Sequence, residues 1–133
     1  MTGDRPFRIL VIDDEEDIRA ALKSIFEYQG WRVFTASRVR QGVELLRSQR
    51  PDIIIIDYHM PEINGILGVK MIRNVDENVP VVVLTIDEDQ EVADRFLAAG
   101  ANDFALKPIK TLDIISRIKL HIQLMNQRPQ KAE

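Results

Sequence analysis

DIIIIDYHMPEING, residues 52–65, sets four consecutive isoleucines directly before a carboxylate. An unbroken β-branched run suits a central strand of a parallel sheet, covered on both faces, better than a half-exposed strand. That strand, Ile53–Ile56, delivers Asp57 to its carboxyl end. A helix is predicted to start near Asn64, with Ile66, Leu67, Val69, Met71 and Ile72 at helical spacing, and Gly65 at the backbone turn.

The same alternation extends both ways. Further strands are predicted at Phe7–Ile12, Trp31–Thr35 and Pro80–Thr85, with a weaker fifth at Asp103–Leu106. Between them lie helical stripes. The first carries Ile18, Leu22, Ile25 and Phe26, has Glu15, Glu16 and Asp17 at its positive N-terminal end, and stops at Gly30. The second runs from Arg38 to Arg50, with Val39, Val43, Leu45 and Leu46 inward. The fourth begins in the acidic run Asp87–Glu91, packs Val92, Phe96 and Leu97, and ends at Gly100. The fifth spans Lys110–Asn126. Five strand–helix units in about 125 residues predict an α/β flavodoxin-like (βα)5 three-layer sandwich, its parallel sheet ordered 2-1-3-4-5. The domain is expected over 1–126, with 127–133 a polar tail or the start of a linker.

Composition bounds the chemistry. The chain has 133 residues, 45% hydrophobic and 29% charged, a globular mixture sized for one domain. With no cysteine, a disulfide scaffold, a thiol nucleophile and a thiolate metal site are excluded. Two histidines, His59 and His121, make a histidine-rich metal site a poor reading. The net charge of −3 argues against direct nucleic-acid binding. Residues 1–107 hold 13 basic against 19 acidic side chains and residues 108–133 hold 5 against 2, so only the last segment is mildly basic. No apolar run reaches the roughly 18 residues of a membrane span, and MTGDRPFR is no signal-peptide core, so a soluble, cytoplasmic protein is expected.

Ligands of open α/β sheets bind beyond the carboxyl ends of the strands. There the sequence places Asp13-Asp14, Asp57, Thr85 and Lys107-Pro108. Carboxylates brought within about 4 Å repel by roughly 4 kcal/mol per pair at an effective dielectric near 20, so cations must offset them. Lys107 supplies one charge, and oxygen-only ligands suit Mg²⁺. Such a set fits phosphoryl transfer: an Asp nucleophile, metal and lysine neutralising phosphoryl oxygens, and a Thr hydroxyl donating to them.

RILVIDDEED, DIIIIDYHMPEING, VVVLT and NDFALKP, in this order and spacing, resemble the receiver domain of bacterial two-component response regulators. The resemblance covers roughly residues 7–125. It implies that Asp57 accepts a phosphoryl group from a sensor histidine kinase or phosphotransfer protein. It implies Mg²⁺ held by Asp13, Asp14, Asp57 and the backbone carbonyl of His59. Thr85 and Lys107 would meet the phosphoryl oxygens, and the Lys107–Pro108 bond would be cis. Phe104 matches the family's switch aromatic, turning inward as Thr85 moves. The face made by the fourth helix, fifth strand and fifth helix would change, and could serve a homodimer. An output domain beyond the C-terminus is compatible with the resemblance.

Two departures from the family pattern bear on access. Ile86 is bulky where a small residue is usual, and His59 borders the site. Phe104 lacks the hydroxyl of the common tyrosine.

Each residue also has a plainer role. Asp13 and Asp14 suit a strand-end turn, Thr85 a helix cap, Lys107 a solvated surface, Phe104 core packing and His59 a solvated loop. The joint pattern favours the site for the first four, and leaves Phe104 open between switch and core. His121 is expected on the surface. In the last helix Leu112, Ile115, Ile118 and Ile122 are expected to face the core, with Ile114, Leu120, Leu124 and Met125 as extra apolar area for a second contact.

The leading reading is a phosphorylation-activated switch, with only self-directed phosphoryl chemistry. A phosphorylation-independent receiver acting as an interaction module stays open because of Ile86. A Mg²⁺-dependent phosphatase would need a cap and an Asp-x-Asp pair, where Glu15 follows Asp14. A flavodoxin-type electron carrier would need a phosphate-cradling loop where IDDEED stands.

Overall fold

The computed structural model describes residues 5–127. Its strands are β1 (Arg8–Ile12), β2 (Arg32–Ala36), β3 (Ile53–Asp57), β4 (Val81–Thr85) and β5 (Asp103–Leu106). Its helices are α1 (Glu16–Tyr28), α2 (Val39–Gln49), α3 (Gly65–Val75), α4 (Gln90–Ala99) and α5 (Thr111–Gln127). The strands form one sheet in the order β2-β1-β3-β4-β5, every pair parallel. The sequence-predicted elements therefore stand, most within a residue or two at each end. Beyond Gln127, the expected polar tail lies outside the described residues.

The period of two along each strand divides the core into two layers. Leu10, Ile12, Ile54, Ile56, Val81 and Val83 pack toward α2, α3 and α4. Ile9, Val11, Ile53, Ile55, Val82 and Leu84 pack toward α1 and α5. Continuing the second series past the strand ends gives Asp13 and Asp57, which follow Val11 and Ile55 by two residues. Lys107 follows Ala105, a member of the same layer. Alternation thus assigns both carboxylates and the lysine to one side of the sheet. Thr85 continues the series of Val83 on the other side, where Phe104 is paired in register with Val83 and is partly buried.

Two glycines position these ends. A Cβ on Gly65 would meet the Asp57 carbonyl oxygen and Tyr58 Cα, each at 2.7 Å, so α3 can start against the loop after β3 only with glycine there. Gly100, at φ 116°, closes α4 in the left-handed region.

Three expectations are corrected. Leu97 is 46% exposed and only Ala93 and Phe96 of α4 are buried, because the helix presents a narrow stripe to the sheet. On α5, Leu112 is 80% exposed, whereas Ile114 and Ile118 are buried, with Ile115 and Ile122 partly so. His121 is buried rather than superficial. The same phase of α5 brings polar side chains to β5: Arg117 Nη1 donates to Asp103 at 2.8 Å, and His121 Nε2 lies 3.6 Å from the other oxygen of Asp103.

Candidate functional site

Asp13, Asp57, Thr85 and Lys107 converge at the carboxyl end of the sheet, carried by β1, β3, β4 and the turn after β5. Asp13, Asp57 and Thr85 are buried, although two of them are carboxylates. Such groups stay inside only with partners. The Lys107 ammonium provides one, lying 3.2 Å from an oxygen of each of Asp13, Glu15 and Asp57. The lysine is held by its backbone, whose N–H donates to the Thr85 carbonyl at 2.8 Å, and the Lys107–Pro108 peptide is cis.

Each carboxylate is fixed differently. Asp13 Oδ1 accepts the Glu15 amide at 2.9 Å, and the Asp13 backbone N–H donates to the Ala36 carbonyl at 3.0 Å. Its second oxygen, Oδ2, is buried without a hydrogen bond, near Lys107 but not aligned with it. Asp57 Oδ1 accepts only a long bond from the His59 amide, 3.3 Å. Thr85 Oγ1 accepts the Asp87 amide at 3.0 Å. The cap of α4 is instead Asp89, which accepts the Glu91 amide at 2.9 Å. The Thr85 hydroxyl is thus tied to the loop before α4 and keeps its own proton to donate.

Charge is under-compensated here. Burial pushes the carboxyls of both Asp13 and Asp57 above their ordinary range, and the Asp13 charge adds to the effect at Asp57. The Glu15 amide and Lys107 offset only part of this at Asp13. Burial alone would weaken the Lys107 ammonium, yet the charges of Asp13 and Asp57 outweigh it and hold that proton more tightly than in a free lysine.

Residues 9–119 match the response regulator receiver domain. The chain belongs to that family. This receiver domain is 37% identical to the transcriptional regulatory protein AfsQ1 of Streptomyces coelicolor, over 84% of this chain and 49% of that protein. It is 33% identical to the regulatory protein AtoC of Escherichia coli, over 90% of this chain and 26% of that protein. The chain thus spans about half, or less, of the length of these curated relatives. A two-component response regulator from Clostridium difficile superposes with a TM-score of 0.87 at 25% identity, covering 91% of this chain and 99% of that one. The chemotaxis protein CheY4 of Vibrio cholerae gives 0.84 at 25% identity, covering 87% and 98%.

The receiver's acidic end fits a hard divalent cation. Asp13, Asp14, Glu15 and Asp57 each offer a carboxylate oxygen, all within 4.8 Å of one another. Asp13 Oδ2 is buried beside the Lys107 ammonium without a hydrogen-bond partner, and the donor set is oxygen alone, as Mg²⁺ prefers. Asp14 is exposed, so that flank is open to water ligands.

Several neighbours were not singled out from the sequence. Glu15, a helix-start charge in the sequence, also shares Lys107. Arg19 Nη1 donates to the Asp13 carbonyl at 2.8 Å and braces the loop before α1. Tyr58 lies edge-on to Phe96 of α4, with ring centroids 5.1 Å apart, and its hydroxyl is 3.5 Å from Arg95. The sequence signal for Tyr58 was only its adjacency to Asp57. His59 is exposed at the rim, with its ring 4.5 Å from that of Tyr58, and Ile86 is 66% exposed beside Thr85. Among the described residues, no helix is long and apolar enough to cross a membrane.

Proposed function

We propose that this receiver domain is a phosphorylation-activated switch that accepts a phosphoryl group on Asp57 from the phosphohistidine of a sensor kinase or phosphotransfer protein. The observation that carries the proposal is Lys107 held between Asp13 and Asp57 at 3.2 Å from each, an ammonium poised beside a buried, poorly hydrogen-bonded carboxylate. An Asp57 oxygen attacks phosphorus, the P–O bond forms as the P–N bond to histidine breaks, and the histidine nitrogen leaves with the electron pair. Lys107 neutralises the phosphoryl oxygens, and Thr85 donates its hydroxyl proton to one of them. Mg²⁺, held by Asp13, Asp14, Asp57 and the His59 carbonyl, would supply further neutralisation of those oxygens. Water ends the signal by attacking phosphorus, which breaks the P–O bond to Asp57, releases inorganic phosphate and restores the carboxylate, a self-directed reaction.

The response is a redistribution of charge. A phosphoryl group adds roughly −1.5 to −2 charges and three acceptors. Lys107 and Thr85 then have a better partner than Glu15 or the Asp87 amide. Thr85 moving toward the phosphate vacates space on the side of the sheet where Phe104 lies, so Phe104 turns inward and the α4–β5–α5 face changes. That face carries Leu97, Leu106, Leu112, Leu120 and Leu124, all exposed, and suits a homodimer or an output domain carried beyond the receiver's C-terminus. Ile86 and His59 set access of water and donor to Asp57. The receiver unit spans residues 1–126 on this reading, with 127–133 a polar tail or the start of a linker, in the cytoplasm.

Intact mass after incubation with acetyl phosphate tests this reading, with and without Mg²⁺, for the wild type and Asp57→Asn. One Mg²⁺-dependent phosphoryl adduct, absent from the variant, is expected. No adduct on the wild type, with Ile86→Ala equally inert, would favour an interaction module that works without phosphate.

A further inference from the structure

We infer that the groove between α2 and α3 is a docking site for an acidic, amphipathic helix of a partner protein, independent of the phosphorylation site. The groove has a cavity of about 380 Å³, with Arg40 and Arg47 of α2 along one wall and Met71 and Val75 of α3 along the other. It continues past Arg47 and Val75 into a hollow of about 440 Å³ reaching Arg50. Its floor is apolar, because Val43 and Leu46 belong to the core beneath.

The charge pattern selects the occupant. The chain carries −3 overall, yet the two cavities are lined by three arginines, Arg40, Arg47 and Arg50, against Glu44 and Asp76. Neither acid lies within ion-pair distance of the three guanidiniums, so among the described residues Arg40, Arg47 and Arg50 make no ion pair. Asp76 is engaged elsewhere, its Oδ1 accepting the amides of Asn78 and Val79 at 2.8 and 3.0 Å. The left-handed backbone of Arg50, φ 49°, also keeps a long cationic side chain at the groove's end, where glycine or asparagine would be the easier residue. Guanidiniums without an ion-paired carboxylate, beside the half-buried Met71 and Val75, are what a carboxylate-bearing helix complements.

Spacing adds register. Arg40 and Arg47 are two turns apart, about 10.5 Å along α2. A helix lying in the groove would answer with acidic residues seven apart and apolar residues three and four after the first, the usual helix-in-groove pattern. A nucleic acid is disfavoured, since the net-negative body repels a long polyanion. The groove lies between helices on the face opposite α1 and α5, so occupancy and phosphorylation need not compete.

The test uses a fluorescein-labelled helical peptide of about 15 residues with that Glu and Leu spacing. Its controls are the Gln-for-Glu peptide and a labelled duplex oligonucleotide, each titrated by anisotropy. Expected are saturable binding of the acidic peptide, at least a tenfold loss with Arg47→Glu and with the Gln peptide, a smaller loss with Arg40→Gln, and no change with Asp57→Asn. Circular dichroism checks that these exposed substitutions leave the fold intact. Equal binding by Arg47→Glu and wild type, equal binding of the Gln peptide, or tighter binding of the oligonucleotide would each overturn the proposal.

Discussion

Replacing Asp57 with asparagine should make the metal-free protein more stable, although it removes a residue at the centre of the site. At 3.2 Å and an effective dielectric near 20, the attraction of Asp57 to Lys107 is about 5 kcal/mol. The repulsion between Asp57 and Asp13, whose oxygens lie within 4.8 Å, is at least about 3.5 kcal/mol on the same scale. The two nearly cancel, leaving roughly 1.5 kcal/mol to lose. Against that stands the desolvation of a carboxylate that is 2% exposed, which is several kcal/mol. An asparagine keeps an acceptor for the His59 amide and carries no charge to repel Asp13. The net gain is about 2 kcal/mol, which for 133 residues raises the melting temperature by about 7 °C. The assay is thermal denaturation by circular dichroism in EDTA, repeated in millimolar Mg²⁺. The wild type should gain stability from Mg²⁺ and the variant distinctly less, because one ligand is gone. If Asp57→Asn melts at or below the wild type in EDTA, the carboxylate is already well compensated and the account of an under-neutralised site fails.

The pH dependence follows from the same groups. With the Asp13 and Asp57 carboxyls held above the ordinary 3.8, the native state keeps protons that the unfolded chain releases, so their cost grows as pH rises from about 4 through the folded values. Metal-free melting curves should show this decline, and it should be flatter in Asp57→Asn. Asp103 runs the other way. Burial would raise it, but His121 and Arg117 hold it below the ordinary range, so its contribution is present above about pH 4 and lost as pH falls through the folded value. Asp103→Asn should flatten that acid limb. Arg73→Ala should cost about 3–4 kcal/mol, read as a drop of about 12 °C in melting temperature, because it removes four hydrogen bonds, three of them to part-buried carbonyls; Arg73→Lys should recover part. Ile86→Ala should speed both labelling by acetyl phosphate and loss of the label by roughly threefold or more, without altering Mg²⁺ affinity.

The fold was legible because the strands announce themselves. Ile53–Ile56 and Val81–Leu84 are apolar on both faces, and only a sheet sandwiched between helices buries such runs. The site was legible for a related reason: once strand ends are placed, topology alone gathers Asp13, Asp57, Thr85 and Lys107. What stayed hidden depends on side chains reaching between elements. Arg73 reads as a solvated helix residue, yet its guanidinium donates to the carbonyls of Gly100, Asp76 and Val79 and to Asn102 Oδ1, at 2.7 to 3.1 Å. The phase of α5 was likewise invisible, because apolar residues occur almost all round that helix and do not single out a face. The pairing of Arg117 and His121 with Asp103, a contact spanning β5 and α5, accompanies the face that turns inward.

These two ends of the molecule have opposite mechanical characters, and the contrast bears on how a charge at Asp57 would be transmitted. At the carboxyl end, three carboxylates share one ammonium, Asp57 has a single long hydrogen bond, and Thr85 is tied to the α4 loop through one amide. At the other end, Arg73 in the last turn of α3 binds the α3–β4 loop at Asp76 and Val79 and the end of α4 at Gly100, while Asn102 Oδ1 also accepts the Val81 amide at 2.9 Å. The aliphatic part of Arg73 is pressed against Gly100 so closely that a Cβ there would meet its Cγ at 2.9 Å. A helix clamped at its C-terminus and lightly held at its N-terminus pivots rather than slides. A phosphoryl group that pulls Thr85 inward would therefore swing the Asp87–Gln90 end of α4 while Gly100 stays fixed. Loosening the clamp with Arg73→Lys should let both ends move, and amide exchange near Ala99 and Gly100 should then respond to phosphorylation, where in the wild type only the 86–92 segment does. Exchange confined to 86–92 in both proteins would show that the clamp does not set the pivot.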